Sequence, residues 1–340
     1  MRGLTELAAR GMMGGMTPTR ARVALLSVAL ALVASACTSG DDPAPPTGPS
    51  GPASTIVAIP ASADLYVGEP QRVAFGVVSH DGAFVSFGTA EIDFTYIGTA
   101  AEPTEPQPGP SVTATFVPTY GSPTSSGGPT ITSGSEGRGV YQASDVVFDR
   151  PGFWTATVTL DVEGLGPQSA EATVVVTDEP GIPAPGDPAL PTENLTVDST
   201  DVPLAAIDSR AATKGEIPDE VLHGWTIARA IEEGRPALVV FATPVYCVSK
   251  FCGPVTDMVE DLAGRYEDRA VFIHVEIYGD YQNQILNDAA LEWLVMPNGD
   301  LIEPWLFLIG ADGVVIDRWS SLWGEADVEA QLEALPPMSA

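Results

Sequence analysis

Cys247 and Cys252 stand five positions apart, in Phe241-Ala-Thr-Pro-Val-Tyr-Cys247-Val-Ser-Lys-Phe-Cys252-Gly-Pro-Val255. An apolar run precedes them and a helical pattern follows, so the pair sits where a strand hands over to a helix. A cysteine at a helix N-terminus meets unpaired N–H groups and the positive end of the dipole, which stabilise thiolate. Lys250 adds a nearby cation. The loop is long enough to bring the two Cα atoms within the roughly 4.4–6.8 Å that a disulfide needs. Three chemistries are open to such a pair: reversible thiol–disulfide exchange, a structural disulfide that clips the loop, and metal binding. Two thiolates without a third ligand make a weak metal site. His274, near the loop in the expected fold, is the candidate for that ligand, although such a histidine is more often packed in a core. His223 and His80 lie outside the motif.

The elements that must hold the cysteines read clearly. Trp225–Glu233 predicts a short helix. Ala237–Thr243 is a continuous apolar run, as in a central buried strand. Val255, Met258, Val259, Leu262, Ala263 and Tyr266 fall on one helical face. Ala270–Ile277 predicts a second strand, and a short helix follows near Ala289–Leu294. Trp305–Ile309 and Val314–Arg318 predict strands joined by the Ala311-Asp312-Gly313 turn. Val328, Leu332 and Leu335 stripe a final helix. The order β-α-β, then β-β-α, describes a mixed sheet flanked by helices over residues 204–340. Asp257, Glu260 and Asp261 read as a solvated helix face. The tryptophans read as core, with Trp305 a possible wall of a substrate groove.

Residues 55–178 read as all-β. Apolar residues alternate in Val73–Val77, Ile92–Tyr96, Trp154–Leu160 and Ala172–Val176, with turn residues at His80-Asp81-Gly82 and Asp149–Gly152. Short strands at this spacing predict a β-sandwich. The run Tyr141–Trp154 resembles the penultimate hairpin of bacterial immunoglobulin-like domains. Residues 99–139, rich in Pro, Gly, Ser and Thr, read as a long loop. Residues 179–203 read as a Pro-rich linker, in which Asn194-Leu-Thr196 matches a glycosylation sequon.

The third cysteine, Cys37, closes a hydrophobic leader. Arg20 and Arg22 precede the apolar run Val23–Val33, and small residues lead to Ala36-Cys37. Some eleven apolar residues are too few to span a bilayer, which needs about twenty. The leader, residues 1–36, resembles that of bacterial lipoproteins, whose cysteine is acylated. That resemblance implies a lipid anchor at Cys37 on the extracytoplasmic face of the cell membrane. Residues 37–54, rich in Pro, Gly and Ser, then form a disordered tether.

The 340 residues carry a formal net charge of −30. Without residues 1–36 there remain 11 basic and 44 acidic residues, or −33. Such a surface repels nucleic acid and anionic lipid, which excludes a DNA- or RNA-binding role.

The C-terminal segment resembles the thioredoxin family, and in particular its extracytoplasmic, membrane-anchored members. The apolar strand, Ala242-Thr243, the cysteine loop and Gly253-Pro254 are similar to the family's active-site segment. Pro304, before the third strand, stands where the family keeps a cis-proline facing the thiols. The resemblance covers residues 204–340. Phe251-Cys252-Gly253-Pro254 matches the family's aromatic-Cys-Gly-Pro, so Cys252 aligns with the nucleophile and Cys247 resolves; the reverse register also fits the Ala-Thr lead-in. The family has two residues between its cysteines and this loop has four, with Val255 at the usual second-cysteine position. The family's buried acid is replaced by Val240, so proton shuttling needs another group. The resemblance implies a disulfide, no diffusible cofactor, exported thiol or disulfide proteins as substrates, and an extracytoplasmic redox partner. Sco-type copper chaperones share the fold and bind metal through two loop cysteines, one residue closer together than here, and a histidine. The remaining alternative is a non-catalytic binding module whose disulfide only holds shape.

Overall fold

The alternating segments of the N-terminal half are strands in a computed structural model, which describes residues 55–134 and 137–338. Cys37, the leader and the tether lie outside the described residues. Ten strands run in order: β1 (Ile56–Pro60), β2 (Leu65–Tyr66), β3 (Gln71–Ser79), β4 (Phe84–Ser86), β5 (Thr89–Gly98), β6 (Pro103–Pro118), β7 (Thr130–Thr132), β8 (Gly139–Val146), β9 (Gly152–Val162) and β10 (Gly166–Thr177). They hydrogen-bond into one sheet along the path β2-β10-β9-β5-β6-β8-β3-β4-β7, with β1 added on β3. Trp154, Ala156, Val158, Leu160 and Val162 of β9 all point into one core. Residues of β1, β3, β5, β8 and β10 join them there, so the sheet curls around its apolar face.

Residues 99–139, expected as a loop, instead contain the 16-residue β6 together with β7. Much of β6 is exposed and pairs only with β5. Pro106, Pro108 and Pro110 alternate along it. Alternate residues of a strand aim their N–H the same way, so all three missing donors fall on one side, which an edge tolerates.

The C-terminal half builds a second, mixed sheet of four strands: β11 (Ala237–Ala242), β12 (Val271–Glu276), β15 (Trp305–Ile309) and β16 (Val315–Ser320). Their order is β12-β11-β15-β16. β11 runs parallel to β12 and antiparallel to β15, and every residue of β11 is buried. The helices are α1 (Ala211–Lys214), α2 (Ile227–Glu232), α3 (Cys252–Arg265), α4 (Asp288–Leu294) and α5 (Glu325–Ala334). Val255, Met258, Val259, Leu262 and Ala263 of α3 are buried, as their spacing requires. Val328 and Leu332 anchor α5 to the same cluster. A small hairpin, β13 (Tyr278–Asp280) with β14 (Ile285–Leu286), lies between β12 and α4.

Residues 179–203 carry no helix or strand but are packed. Ile182 and Ala189 enter the core beside β15. Asn194 is buried, where its Oδ1 accepts from Ile227 N and its Nδ2 donates to Trp225 O. The sequon asparagine is thus a helix-start brace.

Charged side chains join the two sheets. Both terminal nitrogens of Arg72 donate to Asp317, each at 2.8 Å. Arg318 reaches Asp64 at 2.7 Å and also donates to the carbonyls of Ile182 and Pro183. The Arg318 and Asp64 side chains are only 7% and 3% exposed, so removing one partner strands a buried charge. Asp64→Ala is expected to cost about 3–5 kcal/mol in chemical denaturation.

Candidate functional site

β11 ends at Ala242, and the chain then turns through residues 243–251 before α3 opens at Cys252. The turn is tied back by Cys247 N donating to Thr243 O at 3.2 Å. Val255 N donates to Phe251 O, and Thr256 Oγ1 to Cys252 O at 2.8 Å, which closes the first turn of α3. Cys247 and Cys252 form a disulfide with Cα atoms 6.0 Å apart. The sulfur of a disulfide has no proton, so Ser249 Oγ, 3.2 Å away, donates to Cys247 Sγ. Both cysteines are buried, whereas Val248 at the loop tip is 94% exposed, with Ser249 and Lys250 exposed beside it.

A carboxylate has joined the sulfurs. One oxygen of Glu303 lies within 4.8 Å of both Sγ atoms. The register brings it there. Phe241 faces Trp305 across the antiparallel pair, so continuing two residues sets Thr243 opposite Glu303. Thr243 N donates to Glu303 Oε2 at 2.9 Å. Pro304 follows on a cis Glu303–Pro304 peptide and is buried; its carbonyl accepts from Ser321 N. Trp305 is buried against Phe307.

A second acid lies behind the first. Glu276, at the end of β12, is fully buried and accepts from Ser209 N at 2.8 Å and Ile277 N at 2.9 Å. Burial pushes Glu276 up to about 7 despite those bonds. Burial, reinforced by the Glu276 charge, pushes Glu303 up to about 8, against the opposing bond from Thr243. A carboxyl held near 8 is matched to a thiol, whose ordinary value is about 8.5.

Val240 is buried at the middle of β11, opposite His274 and Leu306. An acid reaches the sulfurs from elsewhere, as Glu303, two residues before β15. Sequence reasoning missed Glu303 and Glu276. The one available signal was the acid immediately before Pro304.

The histidines divide. His80 lies in the exposed turn after β3. His274 does not gather with the sulfurs; it meets His223 and Asp208 in a separate buried group. Burial opposes the charge on Asp208, but hydrogen bonds from His223 and Arg210 outweigh it and hold the carboxyl well below the usual range. Burial, with the His223 ring beside it, pushes His274 down to about 3.

No protein-family model matches the chain, and no curated protein matches it.

Proposed function

We propose that this chain is a thioredoxin-like thiol–disulfide exchange protein acting on exported proteins. In this reading it is tethered through Cys37 to the extracytoplasmic face of the membrane, and an immunoglobulin-like N-terminal domain carries the catalytic one. The observation that carries the proposal is the meeting of the Cys247–Cys252 disulfide with the Glu303 carboxyl at the start of α3. The order and directions of β11, β12, β15 and β16, with α3 between the parallel pair, support it. Among the described residues, no helix is long and apolar enough to cross a membrane.

A substrate thiolate attacks one sulfur of the pair, a mixed disulfide forms, and the other sulfur leaves as thiolate. Glu303, protonated in the oxidised protein, gives its proton to the leaving sulfur. The second substrate thiol then displaces the remaining protein sulfur. Two electrons pass from the substrate to the protein, the proton of the second thiol returns to Glu303, and the reverse sequence oxidises the protein again. Cys252, first residue of α3, holds the thiolate that the helix dipole favours. Pro304 shapes the groove for the substrate backbone.

A second reading has one observation in its favour. Both sulfurs are buried, as in a disulfide that only clips a loop of a binding module. Trapping separates the two. Cys247→Ser is expected to accumulate mixed disulfides through Cys252, which dithiothreitol releases. A clip gives no adducts with either single-cysteine variant.

A further inference from the structure

Three buried side chains from separate segments aim their donor atoms at one point. Asp208 follows a 3-10 turn at Leu204–Ala206, His223 ends another at Glu220–His223, and His274 sits inside β12. Asp208 Oδ2 lies 3.3 Å from His223 Nε2 and 3.7 Å from His274 Nδ1, and the two ring nitrogens are 3.4 Å apart. All three side chains are fully buried. The His223–Asp208 contact is a long hydrogen bond, and the other two separations are longer still. The same spacing suits a bound ion. Ligands about 2.1 Å from a tetrahedral ion stand about 3.4 Å apart, whereas an octahedral face brings them to about 3.0 Å.

The ring orientations agree. His274 Nε2 donates to Ala242 O at 3.0 Å, which leaves the Nδ1 lone pair turned inward, as a backbone carbonyl does for a metal-bound histidine. His223 turns its Nε2 into the group and leaves Nδ1 buried without a hydrogen-bond partner. The charges agree too. Asp208 and Asp219 share one guanidinium, Arg210, and leave one buried negative charge that a cation offsets. Asp257 stays on the solvated face, 61% exposed, with Arg210 3.5 Å away.

We infer that Asp208, His223 and His274 form a tetrahedral binding site for a zinc-type divalent cation, distinct from the cysteine loop. The ion acts as a clasp beneath that loop. Ser209, next to Asp208, donates its N–H to Glu276, and its Oγ accepts from Val245 N at 3.2 Å. The inference stands apart from the exchange reading, because no cysteine takes part.

Cobalt(II) titration of the purified full-length chain, stripped of metal with its disulfide intact, tests it. One equivalent is expected to bind, with visible ligand-field bands and no thiolate charge-transfer band, and zinc is expected to displace it. The spectrum is expected to survive the Cys247→Ser, Cys252→Ser double variant and to vanish in His274→Gln. A folded chain that binds neither cobalt nor zinc overturns the inference. So does a thiolate band, or a spectrum lost with the cysteines. Should His274→Gln fail to fold, the wild-type and double-cysteine spectra decide by themselves.

Discussion

Glu303→Gln is expected to slow reduction of the Cys247–Cys252 disulfide by about 10²-fold at neutral pH, the loss typical of a removed general acid. The wild-type rate, at fixed substrate thiolate concentration, is expected to fall as pH rises through about 8, where Glu303 gives up its proton. The variant keeps an amide at all pH values and loses that break. Stopped-flow kinetics from pH 6 to pH 10, on the order of half-unit steps, check both. Stability should fall with rising pH as well. Glu303 keeps its proton to about 8 when folded and to an ordinary 4.5 when unfolded. Between those values the folded chain binds more protons, so the contribution is whole below 4.5 and is lost as pH rises through about 8. Glu303→Gln flattens that slope and leaves the protein more stable than wild type in alkali. A carboxyl that merely braced Thr243 would move stability without erasing the break in rate.

The Cys247→Ser, Cys252→Ser double variant is expected to lose exchange entirely while losing only about 2 kcal/mol of stability, the loop-closure entropy of so short a crosslink. The fold around the pair does not depend on it. β11 is buried on both faces, and α3 rests on Val255, Met258, Val259 and Leu262. Guanidinium denaturation of the double variant, beside an exchange assay, reads both quantities. A much larger loss of stability, with wild-type exchange already absent, would fit a clip and not a working pair.

Local pattern made the frame of the C-terminal sheet legible. Ala237–Ala242 is apolar throughout because both faces are covered, and the stripe from Val255 to Ala263 repeats at helical spacing because one face is. The strand at Pro103–Pro118 was hidden by its own composition. Its prolines and threonines carry loop statistics, yet they fit an exposed strand paired mainly with β5. The cysteine loop was legible as a site because both sulfurs lie within one short segment. Glu303 was not, since only the register of β11 against β15 sets it opposite Thr243. Asp208, His223 and His274 were hidden for the same reason. Three residues far apart in sequence share no spacing until the turns before α1 and α2 pack on β12.

The central claim, that the pair cycles, is tested most directly by redox titration of the full-length chain in glutathione and dithiothreitol buffers, with alkylation to trap the thiols. A cycling pair titrates between about −270 and −120 mV, within reach of exported partners and of the proteins that recharge them. A midpoint below about −300 mV would mark a bond that stays closed under physiological conditions, and would contradict the account.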